Sequence, residues 1–134
     1  MLRTVLAYNF TAERLQMLRM AALLIKAQVK AVAREDMLQP VGFLAGVKGV
    51  EPVAEKYAGD KATQELILLC GFDIPALDKL LVAIKKSKLQ KIELKAMLTE
   101  HNVTWSGLEL LKEIVEEHEY MMQNGGKATE HTEK

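Results

Sequence analysis

The sequence predicts an α/β fold, with one four-stranded sheet built from two βαβα halves. Three observations predict it. Two short runs, Thr4 to Phe10 (TVLAYNF) and Glu65 to Cys70 (ELILLC), are nearly continuous in apolar residues, as strands covered on both faces are. Each run leads into a helical pattern behind a capping residue. Each helical pattern then gives way to a stretch in which apolar and polar residues alternate. The same order of periods occurs twice, which predicts a pseudo-repeat.

In the first half, Thr11 is placed to cap a helix carrying Leu15, Leu18, Ala22 and Ile25 on one face. Met17, Met20, Ala21 and Leu24 widen that face. Val29, Ala31 and Ala33 then alternate with Lys30, Val32 and Arg34, which reads as an edge strand. After Glu35 and Asp36, the segment Val41 to Ala45 reads as a short helical turn.

The connector 46–63 (GVKGVEPVAEKYAGDKAT) is glycine-rich and longer than most connections in compact domains. It reads first as a surface connector. The competing reading is a loop that covers the ligand end of the sheet.

In the second half, Gly71 closes the apolar run and Asp73 takes the N-cap position, with Pro75 in the first helical turn. Leu77, Leu80, Leu81 and Ile84 form the apolar face. Lys85, Lys86 and Lys88 crowd the helix end, where cations suit the carbonyl pole. From Lys91, Ile92, Leu94, Ala96 and Leu98 alternate with Glu93, Lys95 and Met97, the pattern of a half-exposed strand at an edge. Thr99 to Asn102 is a polar turn. Thr104 is placed to cap a last helix with Leu108, Leu111, Ile114 and Val115 on one face, and Trp105 folds back as an apolar plug.

Phe10, Leu15, Leu18 and Ala21 align with Phe72, Leu77, Leu80 and Ala83 at one offset. The expected organisation is one domain over 1–120, with halves 1–45 and 64–120 joined by loop 46–63. Residues 121–134, polar and poor in apolar side chains, are expected to be a disordered tail. The most apolar strands belong at the centre, near 4–10 and 65–70. If both halves run the same way, the sheet is parallel with order 2-1-3-4. If they run oppositely, the fold approaches a ferredoxin-like α+β sandwich with helices on one face.

Composition excludes several function classes. Eighteen basic residues balance eighteen acidic ones in 134 residues, so no overall charge points to nucleic acid or an anionic membrane. The aromatic content, 5%, is too low for a base-stacking platform. A single cysteine rules out an internal disulfide and suits a reducing compartment, so a cytoplasmic location is expected. No Gly-rich dinucleotide or phosphate-loop motif and no nucleophile elbow is present, and no cofactor is expected.

A parallel sheet would bring the strand carboxyl ends to one rim, carrying Asn9, Glu35, Asp36, Cys70, Thr99, Glu100, His101 and Asn102. Antiparallel halves would split that set. Cys70 reads as a packing thiol ahead of a nucleophile. His101 beside Glu100 reads as an exposed turn histidine ahead of a base. Cys70, His101 and His118 are zinc-ligand types without ligand spacing, so no metal is expected. Lys95 reads as a strand-edge charge.

The run KAMLTEHNVTW (Lys95 to Trp105), followed by a helix expected to end in Glu-Glu-His at Glu116 to His118, resembles a family of small, functionally uncharacterised bacterial domains. Its pattern is a strand ending K-A-x-L-T-x-x-N-x-x-W, then a helix ending in an acidic pair and histidine. Lys95, Ala96, Leu98, Thr99, Asn102 and Trp105 match, while His101 stands where the pattern expects proline. VLAYNF and QPVGFLAGVKG (Gln39 to Gly49) also resemble features of longer members. The resemblance implies no activity. It singles out Lys95, Thr99, Asn102 and Trp105 as a unit, in which Thr99 and Asn102 are expected to bond the turn and cap the last helix.

The expected function is a non-catalytic binding or regulatory module, using a sheet edge or the outer helix faces. The expected partner is a second copy of the chain or another protein; neither nucleic acid nor a membrane is expected. The alternative is a small-molecule-binding or enzymatic domain with its site at the strand carboxyl ends near Cys70 and His101.

Overall fold

The computed structural model describes residues 2–89 and 91–124. Its elements are β1 (Thr4–Tyr8), α1 (Ala12–Leu23), β2 (Gln28–Val32), a 3-10 turn (Arg34–Asp36), α2 (Val41–Leu44), β3 (Leu66–Cys70), α3 (Ile74–Lys86), β4 (Lys95–Met97) and α4 (Gly107–Asn124). The sheet order is β2-β1-β3-β4. β1 and β3, the two apolar runs, are buried along their whole length at its centre.

β1 pairs parallel with β2, and β3 parallel with β4. The two central strands are antiparallel, with Thr4 opposite Cys70 and Tyr8 opposite Leu66. The halves therefore run oppositely and the sheet is mixed. Hydrophobic periodicity reports which faces a strand buries, and it is the same whichever way the strand points. It leaves strand direction open.

Both faces of this sheet are covered, unlike the one-sided ferredoxin-like alternative. On one face, Val5, Ala7, Ile67 and Leu69 pack with Leu18, Ala21 and Ala22 of α1 and Leu80 and Ile84 of α3. Phe10, Leu15, Leu77, Phe72 and Ala83 close the margin of the same cluster. On the other face, Leu6, Tyr8, Leu66, Leu68 and Cys70 pack with Val41 and Leu44 of α2 and Leu110 and Leu111 of α4. Central strands with no polar residue facing out are the consequence.

Local chemistry sets the helix starts. The Thr11 side chain accepts from Arg14 N at 3.2 Å, and the Asp73 carboxylate accepts from Ala76 N at 2.9 Å. The last helix begins later than Thr104 suggests. Ser106 Oγ accepts from Glu109 N at 3.0 Å, while the Glu109 carboxylate accepts from Ser106 N at 3.0 Å. That reciprocal pair is a capping box, written in the sequence as Ser-Gly-Leu-Glu. α4 also runs to Asn124, so residues 121–124 are helical rather than tail; the rest of the expected tail lies outside the described residues.

β4 is shorter than the alternating pattern from Lys91 predicts. Pairing with β3 begins where Ile67 N donates to Leu94 O at 3.1 Å. Upstream of that bond the chain wraps the sheet edge, so Ile92 enters the α1/α3 core and Leu94 the opposite one. Strict alternation holds only while a neighbouring strand imposes the pleat.

The connector 46–63 forms no helix or strand, yet it is tied down. Arg34 donates to the carbonyls of Lys61 (2.7 Å), Ala62 (2.7 Å) and Gly59 (3.2 Å), and its guanidinium lies 5.4 Å from the Tyr57 ring centre. Gln39 exchanges two hydrogen bonds with the backbone of Val53, at 2.7 and 2.9 Å. Among the described residues no helix is long and apolar enough to cross a membrane.

Candidate functional site

Because the halves run oppositely, the predicted rim divides. At the carboxyl ends of β3 and β4 lie Cys70 and the Thr99–Trp105 turn. At the other end of the sheet lie Asn9, Glu35 and Asp36, together with Lys95 at the start of β4.

The first end is a hydrogen-bonded plug. Asn102, buried, accepts from Thr99 N at 2.9 Å and donates to Met97 O at 3.0 Å. Thr99 Oγ1 in turn accepts from the backbone N–H groups of His101 and Asn102, both at 3.2 Å. Thr99 and Asn102 thus close the turn as expected, and the helix cap falls to Ser106. Trp105 packs at the margin of the α2/α4 core, with the exposed His101 ring edge-on at 5.2 Å. Its carbonyl accepts from Val41 N at 2.8 Å, which docks the turn onto α2. Among the described residues, no buried side-chain nitrogen or oxygen of this unit lacks a hydrogen-bond partner.

Cys70 is fully buried, and burial pushes its thiol up to about 12. Burial on this scale favours the protonated thiol at neutral pH. Burial likewise raises Tyr8, with the nearby acidic groups Cys70 and Asp36 adding to the effect. The Tyr8 hydroxyl, buried against Gly107, has no hydrogen-bond partner among the described residues.

At the opposite end, Asn9 donates to the carbonyls of Ala62 (2.9 Å) and Gln64 (2.8 Å) and accepts from Arg34 at 3.0 Å. Asn9 adopts φ 66°, a conformation asparagine tolerates better than most residues. Sequence reasoning passed over Arg34, whose role depends on a loop about 25 residues downstream folding back over it. No local spacing encodes that. His118 Nε2 stands 4.0 Å from Glu93 Oε1 in a cleft of about 350 Å³, which Glu65 and Glu119 also line. Glu65 is committed to Arg14, at 2.6 and 3.0 Å. Among the described residues no group of three or more His, Cys, Asp or Glu side chains is placed to hold a metal ion.

The surface that lacks internal partners lies elsewhere, on the outside of the α1/α3 layer. Met20, Leu23 and Leu24 share one face of α1 and are 63%, 73% and 78% exposed. Val82 and Ile74, eight residues apart on the outer stripe of α3, are exposed as well. Leu24, Ile25, Val82 and Ala83 line a groove of about 390 Å³ between the two helices, flanked by Asp78, Lys79 and Lys86. α1 is therefore apolar on both sides, its inner face carrying Leu18, Ala21 and Ala22.

Residues 65–121 match the model of a family described as a domain of unknown function (DUF3783). The match spans β3, α3, β4 and most of α4, and it contains both the Lys95–Trp105 unit and Glu116–His118. It stops short of VLAYNF and QPVGFLAGVKG, so the resemblance read into those segments has no counterpart in it. No curated protein and no solved structure matches this chain.

Proposed function

We propose that the protein is a non-catalytic binding module that acts by pairing with a second copy of itself through the α1/α3 groove. One observation carries the reading: Leu24 and Val82 stand exposed in the lining of a single groove, with Met20 and Leu23 exposed beside Leu24 in α1, on a helix layer whose other side is core. The groove is flanked by charges of both signs, Asp78 against Lys79 and Lys86. A two-fold related copy would set an acid opposite a base, and a chain of zero formal charge carries no net repulsion to overcome.

Helices of 12 and 13 residues are each about 18–20 Å long. Two side by side present a face smaller than the roughly 800 Å² per partner of standard interfaces. The pairing is accordingly weak and reversible, with dissociation in the micromolar range.

Sedimentation velocity over a concentration series tests this. Monomer should convert to dimer across tens to hundreds of micromolar, and the double variant Leu24→Glu, Val82→Lys should stay monomeric while keeping the wild-type circular dichroism. A wild-type chain that is monomeric throughout the series contradicts the proposal.

A further inference from the structure

Between Lys85 and Lys95 the neutral chain carries Lys85, Lys86, Lys88, Lys91 and Lys95 against one acid, Glu93. The end of α3 accounts for Lys85 and Lys86, whose ammonium groups suit its carbonyl pole. It does not account for Lys91 and Lys95. The fold brings those two back beside Lys85. After α3 the chain turns sharply, with Ser87 Oγ donating to Ile84 O at 2.7 Å and accepting from Leu89 N at 3.1 Å. Leu89 plugs the core, and the chain then returns along the sheet edge through Ile92.

The result is a cleft of about 450 Å³ with an aliphatic floor of Leu81, Ile84 and Ile92 and a rim of Lys85, Lys91 and Lys95. No carboxylate lines it. None of the three lysines has an ion-pair partner among the described residues. Lys95 Nζ is anchored 2.5 Å from Ile92 O, which fixes one cation at the mouth.

We infer that this cleft binds an amphipathic organic anion, with a carboxylate or phosphate head among the three ammonium groups and an apolar body on Leu81, Ile84 and Ile92. Its volume lies in the lower part of the range of small-ligand pockets, about 300–1,000 Å³, and an apolar lining with a few convergent charges is their usual composition. Lysine ammonium groups act as point charges on flexible stems and accept either head without demanding fork geometry. Burial and then the repulsion of Lys91 lower the proton affinity of Lys95, while Glu93 opposes them. The attraction of a bound anion offsets both. The site is separate from the α1/α3 groove and stands whether or not the chain pairs with itself.

The test is amide-shift titration of the isotope-labelled full chain with octanoate and with octyl phosphate, using inorganic phosphate and octanol as controls that carry only the head or only the body. At least one amphipathic anion should give saturable shifts centred on residues 81–95, with a dissociation constant below about 1 mM. The head that binds more tightly identifies the ligand class. Lys91→Gln and Lys85→Gln, both at exposed positions, should each weaken binding several-fold and together at least tenfold. Both controls should bind at least tenfold more weakly than the better anion. The inference is overturned by the absence of saturable shifts up to about 10 mM, by either control binding as tightly as the anions, or by affinity unchanged in the double lysine variant.

Discussion

Asn102 holds the turn between β4 and α4 with both ends of its amide, accepting from Thr99 N and donating to Met97 O. Removing it leaves a partly buried N–H and a partly buried carbonyl without that partner, at a cost of about 1–3 kcal/mol. Asn102→Ala should therefore lower the unfolding free energy by that amount, whereas His101→Ala, at an exposed position, should change stability by less than about 0.5 kcal/mol. Denaturant titration of the two variants separates a structural Asn102 from a decorative one. A second residue-scale expectation concerns pH. The Cys70 thiol rises from 9.0 to about 12 on folding, so above pH 9 the unfolded chain gives up a proton that the folded chain keeps. Its contribution is complete below pH 9 and is lost as pH climbs toward 12, and Tyr8 pulls the same way. Unfolding free energies measured at pH 7, 9 and 10.5 should fall slightly over the first interval and steeply over the last. At pH 8, a thiol reagent should modify Cys70 no faster than the protein opens. Rapid modification of the folded chain would revive Cys70 as a reactive group.

Among the elements, the connector between α2 and β3 departs most from its sequence reading. It forms no helix or strand, and Arg34, Asn9 and Gln39 fasten it to the body. Arg34 reaches three carbonyls with one planar guanidinium, a geometry that lysine does not reproduce. Arg34→Lys should let trypsin cut after Lys56 or Lys61 at least several-fold faster while global stability changes little, as read by limited proteolysis beside thermal melting. Equal cutting rates would mean the loop is held some other way. The same contrast explains what was legible in the chain. The caps at Thr11 and Asp73, the apolar strands and the helix faces depend on neighbours within a few residues, and short-range spacing exposes them. The cap at Ser106 was equally legible in Ser-Gly-Leu-Glu, but Thr104 offered a competing start. The irregular path of 91–94 and the Arg34 clamp depend on tertiary pairing, which alternation cannot reveal.

At the scale of the molecule, the two halves are not separable bodies. β1 and β3 pair in the centre of one sheet, and each core cluster draws on both halves. Arg14 of α1 forks onto Glu65 at the start of β3. Val41 and Gly42 of α2 donate to the carbonyls of Trp105 and Val103, both at 2.8 Å, and Gly42 leaves no room for a side chain beside Val103. The stretch that matches the family thus shares its interior with residues outside the match. The position of α1 beside α3, and so of the groove between them, follows from the antiparallel meeting of β1 and β3. Cross-strand nuclear Overhauser contacts in the labelled protein test that meeting directly. Contacts linking Thr4 with Cys70 and Tyr8 with Leu66 are the predicted result; contacts linking Thr4 with Leu66 and Tyr8 with Cys70, or none between the two strands, would contradict it.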